Sequence, residues 1–161
     1  HKMGNRKLEQ SQKIEAINER GAESTELAQE AVEEAKENAD LLSQLEAIDS
    51  DDAESIDSGR EVARNIAEQV KAETVEAPQN ELSGEIQETN EETNELADAE
   101  QAESEKASEL SGTYSEVGES ISEQMEQSSQ EFQEISEQGD QIKDELDEHF
   151  DECAAALEDT F

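Results

Sequence analysis

The chain has little of what walls a small-molecule pocket. Among 161 residues there is no Trp, and Tyr114, Phe132, Phe150 and Phe161 are the whole aromatic stock. Enzymes of this length draw on aromatic and branched side chains to exclude water from a site, so the scarcity argues against catalysis. The single Cys153 has no partner for an intramolecular disulfide, which makes the cytoplasm or another reducing compartment the default expectation. There is no run of about 18 apolar residues for a membrane span and no apolar leader, so membrane insertion of this segment is not expected. Basic residues are scarce as well: 11 Lys and Arg stand against 47 Asp and Glu, a net charge of −36. Direct binding to nucleic acid or to an anionic membrane surface relies on clustered Lys and Arg, and this balance argues against both.

What is present is a helical period. From Lys106 onward the apolar and small residues fall at three- and four-residue steps, through Ala107, Leu110, Tyr114, Val117, Ile121, Met125, Ser128, Phe132, Ile135, Gly139, Ile142, Leu146, Phe150, Cys153 and Leu157. Only a helix puts these positions on one stripe, and the mean step lies close to that of a supercoiled seam. The positions between are almost all Glu, Gln, Ser and Asp, so the opposite face is solvated. Leu110, Tyr114, Val117, Ile121, Met125, Phe132, Ile135, Ile142, Leu146 and Phe150 are therefore the expected interaction seam. The N-terminal half repeats the pattern with smaller residues, from Ile14, Ile17 and Gly21 through Ala28, Ala31, Ala35 and Ala39 to Leu42, Leu45 and Ile48.

Pro78, the only proline, lies almost at the midpoint. Proline disfavours the helical conformation of the residue before it, so the helix is expected to stop near Ala77. The resulting reading is all-α: a long antiparallel helical hairpin or coiled coil with its main turn near 77–80. Residues 1–7 are read as an N-terminal tail or non-native start, 8–157 as one elongated helical domain, and 158–161 as a C-terminal tail. Folding about residue 79 pairs Leu8 with Phe150, Ile17 with Ile142, Gly21 with Gly139, Ala28 with Phe132, Ala35 with Met125, Leu42 with Val117 and Ile48 with Leu110. The alternative is a four-helix bundle, with further breaks at 49–59 and 111–113 and a last helix from Thr113 to Leu157. In it Ser50 or Asp51 would cap the second helix. The stretch from Gln87 to Glu95, which has no apolar residue, weakens the hairpin seam.

No catalytic, cofactor or metal site emerges. His149 and Cys153 lie one helical turn apart beside Glu145, Glu148 and Glu152, yet structural zinc sites favour several Cys or His ligands, and the bland reading is a seam Cys with an edge His. Leu146 stands where a di-iron bundle would need Glu before His149. The acidic clusters Asp49, Asp51, Asp52, Asp57 and Asp144, Asp147, Asp151 lack the spacing of a calcium-binding loop. No cofactor is expected.

The function this supports is a non-catalytic acidic coiled-coil module, structural or interacting, that binds another protein or self-associates through its seam. A second reading is an acidic decoy that mimics nucleic-acid charge in the groove of a basic protein. A third is a helical stalk or signalling segment of a larger receptor or secretion assembly. Seams rich in small residues with Glu/Gln pairs, as at Glu100-Gln101 and Glu123-Gln124, loosely resemble the cytoplasmic coiled coils of chemotaxis receptors. The likeness covers short stretches without the receptors' signalling-tip sequence and transfers no residue role. Like-charge pairs such as Glu30/Glu34, Glu33/Glu37, Glu88/Glu92 and Glu91/Glu95 each cost roughly 0.2–0.5 kcal/mol at low salt, so added salt is expected to raise the melting temperature.

Overall fold

The computed structural model describes residues 2–112 and 114–161. The chain is all-α: α1 (Lys2–Ile48), a 3-10 turn (Ser50–Asp52), α2 (Ala53–Val70), a π turn (Lys71–Glu76), α3 (Ala77–Ser111) and α4 (Ser115–Thr160). The π turn joins α2 to α3 without leaving the helical path, so three long helices pack against one another. Thr113, the expected first residue of the last helix, lies outside the described residues, as does His1.

The chain does not reverse at Pro78, which lies inside α3. A proline in a helix lacks its own N–H and crowds the carbonyl four residues back. Here the preceding turn is widened: the Ala77 N–H bonds to the Ala72 carbonyl, five residues back. That π geometry makes room for the ring, and burial of Val75 and Leu82 on either side holds the segment in place. The reversals come instead within the two stretches read as further breaks, at the 3-10 turn before α2 and between Ser111 and Ser115. In the first, the Asp49 and Asp52 N–H groups donate to the Leu45 and Asp49 carbonyls. Neither Ser50 nor Asp51 caps α2; its N-cap position is Asp52, with no side-chain capping bond. In the second, the Tyr114 N–H donates to the Leu110 carbonyl at 2.8 Å.

Contacts divide the chain into two compact units: His1–Asn18 with Gly84–Lys143, and Glu19–Ser83 with Asp144–Phe161. In the first unit α1 lies on α3 through Gln10, whose Nε2 donates to Thr93 Oγ1 at 2.8 Å, and through Lys13, which pairs with Glu92 at 3.0 Å. It lies on α4 through Lys7, paired with Glu131 at 2.5 Å and held 5.7 Å above the Phe132 ring. Residues 2–7 are therefore the first turns of α1 and not a tail. α3 and α4 run antiparallel, with Asn90 bonded to Asp140, Ser129 to the Ala97 carbonyl and Ser104 to Ser122.

In the second unit α1 and α4 run parallel, with Gly21 against Leu146 and Gln29 against Cys153. Arg20 pairs with Glu81, Gln79 bonds Asp147 and Asp151, and Lys71 pairs with Glu158. α4 runs to Thr160, and Arg64 donates to the Phe161 carbonyl oxygen at 2.7 Å, so 158–161 is not a tail.

The antiparallel pairing of the two halves about residue 79 is thus not formed. Lys7 with Glu131, and Gln29 with Cys153, are each 124 residues apart, a parallel register. Gly21 does not meet Gly139. A Cβ on Gly21 would lie 2.5 Å from Leu146 Cδ2, and one on Gly139 would lie 2.2 Å from Asn90 Oδ1. The reason is the continuous helix through Pro78, which takes the antiparallel place beside both other helices.

The two cores differ in chemistry. The second unit buries Ala28, Val32, Ala35, Ile56, Ala67, Val75, Leu82, Leu146, Phe150, Cys153 and Leu157. The first buries Ile14, Ile17, Ile86, Ala97, Ala107, Phe132 and Ile142, but also Gln10, Thr89, Asn90, Thr93, Glu100, Ser104, Ser129 and Ser136. The apolar gap from Gln87 to Glu95 is therefore a polar core segment: Thr89, Asn90 and Thr93 face inward there.

Candidate interaction groove

The seam residues divide into three groups. Phe132 and Ile142 are buried in the first unit, and Leu146 and Phe150 in the second. Met125 and Ile135 are half-buried. Leu110, Tyr114, Val117 and Ile121 stand out of the core, at 56%, 67%, 63% and 37% exposed. The structure brings these four together with Met125 into one groove of about 330 Å³ within the first unit.

Two helices build it. α3 contributes Glu103, Lys106, Ala107 and Leu110, which fall at the three- and four-residue steps that keep them on one face. α4 contributes Val117, Gly118, Ile121 and Met125 by the same periodicity, and Tyr114, just before its start, completes the lining. Small residues let the two backbones close on each other beneath the groove. A Cβ on Gly118 would lie 2.5 Å from Ser111 Cα, so only glycine fits there without a backbone shift. Ser122 Oγ meets Ser104 Oγ at 3.3 Å and Ser108 Oγ at 2.8 Å, which satisfies the hydroxyls between the helices. With that interface packed by small side chains, the larger ones on the same stripe project into solvent.

The α4 side of the groove, Val117, Ile121 and Met125, falls on the periodic stripe. Glu103 and Lys106 carry no hydrophobic period; only their helical spacing from Ala107 and Leu110 places them on the lining. The inward-facing Thr, Asn and Ser residues escaped for the same reason, although Ile86, Thr89, Thr93, Ala97, Glu100, Ser104 and Ala107 keep the step of a buried face.

Other surfaces offer less. A depression of about 440 Å³ in the second unit is lined by Arg64, Ala67, Glu68, Lys71, Glu76, Leu157 and Glu158. Two of its carboxylates share one cation: Lys71 pairs with both Glu158 and Glu76, and its ammonium pKa is raised, chiefly by the hydrogen bond to Glu158. Arg60 is held by Glu46 and Asp57, and its pKa is raised first by the hydrogen bond to Glu46. His149 is exposed, while Cys153 is buried with its thiol toward Gln29 Oε1 at 3.9 Å. Burial, and then the charge of Glu152, push the Cys153 thiol pKa up, away from the thiolate that a metal site requires. Among the described residues no three His, Cys, Asp or Glu side chains converge as a metal cluster, and no helix is long and apolar enough to cross a membrane.

Compared with known proteins, the chain matches no family model, no curated protein and no solved structure.

Proposed function

We propose that the protein is a non-catalytic acidic helical module that binds another protein, or a second copy of itself, through the exposed part of its seam. The observation that carries this reading is the groove formed by Leu110, Tyr114, Val117, Ile121 and Met125. Of the seam residues, Phe132, Ile142, Leu146 and Phe150 are buried, whereas Leu110, Tyr114, Val117 and Ile121 are exposed. Burying a large apolar side chain stabilises by about 1.5–3 kcal/mol relative to leaving it in water, so four on one face supply a substantial drive for association. The charge of the surrounding surface keeps the free protein dispersed until a complementary face arrives.

The test is Ile121→Asp in the full chain, read by circular dichroism and by binding or self-association in sedimentation velocity. Retained helicity with loss of association is the expected result. Association that survives the substitution overturns the seam as the binding face. The net charge also supports the decoy reading, and salt separates the two: a decoy loses its basic target in moderate salt, whereas association through apolar contacts persists.

A further inference from the structure

Resting on that reading, we infer that the occupant of the groove is a second copy of the chain, entering head to tail. The copy brings the corner between its α1 and α2, residues 41–52, against the groove and the first turn of α1. The groove lies within the first compact unit and the corner within the second. Three observations lead to this pairing.

The first is continuity with an interface already present. Lys7 stands over the Phe132 ring, and Gln10 bonds the Thr89 carbonyl and Thr93 Oγ1. Met125 and Ile121 precede Phe132 by about two and three turns, and Ala107 follows Thr89 by about five. These lining residues therefore lie on the faces that α4 and α3 turn toward α1. The parallel pairing of Lys7 with Glu131 sets the start of α1 level with the residues just after Met125. The groove is thus the same seat beyond the first turn of α1, and a helix end lying there meets α1 end to end.

The second observation is that the chain carries a helix end of the right pattern. In the last turns of α1, Leu41, Leu45 and Ile48 are exposed, at steps of four and three that put them on one face. The groove repeats that spacing: Val117, Ile121 and Met125 on α4, and Glu103, Ala107 and Leu110 on α3. Entering parallel to α4, as α1 does, the second copy sets Ile48 at the Met125 end and Leu41 toward Val117.

The third observation fixes that direction. The N-terminus of a helix is the positive end of its dipole, with unpaired N–H groups. α1 has no acidic residue in its first turn, and Arg6 and Lys7 follow directly. A helix entering parallel brings its negative C-terminal end to that point. Just after Ile48, the corner adds the exposed carboxylates Asp49, Asp51 and Asp52. Reversed entry would set two positive helix ends together. The charge of −36 on each copy opposes approach from a distance, but at physiological ionic strength it is screened beyond about 8 Å, which leaves the local match to decide.

The experiment is sedimentation velocity of the full chain over a concentration series at about 0.15 M salt. Two variants accompany it: Val117→Glu/Ile121→Glu in the groove and Leu45→Glu/Ile48→Glu at the corner. All four positions are exposed, and circular dichroism checks that helicity is retained. A head-to-tail contact uses two different faces, so the wild type is expected to pass beyond dimer as concentration rises. Each variant alone is expected to associate more weakly by about tenfold or more. An equimolar mixture of the two holds one intact groove and one intact corner, and should regain association but stop at dimer. A mixture that associates no more than its parts overturns the proposal. So does a corner variant that associates like the wild type, or a wild-type chain that stays monomeric throughout. Loss of association in the groove variant alone keeps the seam as binding face and sets aside only this occupant. Association that neither variant changes overturns the wider reading with it.

Discussion

The two compact units share an architecture of three helices and differ in what fills it. In the second unit the buried side chains are aliphatic, aromatic and one thiol, with Phe150 at the centre of the α4 stripe between Leu146 and Cys153. In the first, Phe132 sits at the equivalent step between Ser129 and Ser136. A polar interior supplies less transfer free energy per residue but demands that each donor meet its acceptor, so it fixes register more strictly. Gln10 illustrates this, with Nε2 donating to both Thr93 Oγ1 and the Thr89 carbonyl while Thr93 Oγ1 donates to that same carbonyl. The difference teaches that one helix period can be written in two chemistries, and that the unit with the polar core also carries the exposed apolar groove.

The sharpest way to break this comparison is to empty each core in turn. Phe132→Ala and Phe150→Ala each remove a fully buried ring and are expected to cost about 3–5 kcal/mol. Hydrogen exchange should show Phe150→Ala accelerating amides of 19–83 and 144–161 more than those of the first unit, and Phe132→Ala the reverse. Uniform acceleration in both variants would mean the units unfold as one body.

The polar core is next. Gln10→Ala deletes two hydrogen bonds in a buried setting and is expected to cost about 1–3 kcal/mol in a urea melt. A change within experimental error would mean that water replaces the amide and that the polar layer does not fix register.

Glycine substitutions sharpen the register itself. Gly139→Ala drives a Cβ into the Asn90 amide, whose Oδ1 is already buried without a partner, and should destabilise by about 1–3 kcal/mol. Gly84→Ala meets nothing within 4 Å and should stabilise α3 by about 0.5–1 kcal/mol, the ordinary gain of alanine over glycine in a helix. Thermal melts that show both stabilising would contradict the Asn90–Gly139 approach.

The smallest effect is at Cys153, where the second unit's dry core has a titratable group. Its folded pKa lies above the ordinary value of 9.0, with burial as the main cause. Its contribution to stability is therefore complete below the unfolded pKa and is lost as pH rises from there through the folded pKa. Alkylation at pH 8 should be slow in the native chain and faster by about tenfold or more in urea. Equal rates would show the thiol open to solvent.

Helical content and the seam of α4 were legible in the residues alone. Phe132, Ile142, Leu146 and Phe150 are core because a step of three or four in a field of Glu and Gln has only one folded meaning. Leu110, Tyr114, Val117 and Ile121 belong to the same period, yet nothing local says whether a stripe position is covered, and these are not. The turn at Pro78 was misplaced because the proline rule assumes a regular α-helix, and one π turn removes that assumption. Thr89, Asn90 and Thr93 were missed because hydrophobic periodicity is blind to a buried face made of polar side chains.

By itself, then, the sequence determined that the chain is helical throughout, which face of α4 is apolar, and that the surface is a polyanion. These follow from spacing and charge, which are local quantities. Where the chain reverses, that α1 lies parallel to α4, which partner each glycine admits, and which part of the stripe stays uncovered were decided only by the tertiary structure. A helical stripe fixes an angle around its own axis, whereas the helix that covers it, and in which direction, depends on how three helices fill one another's gaps at once.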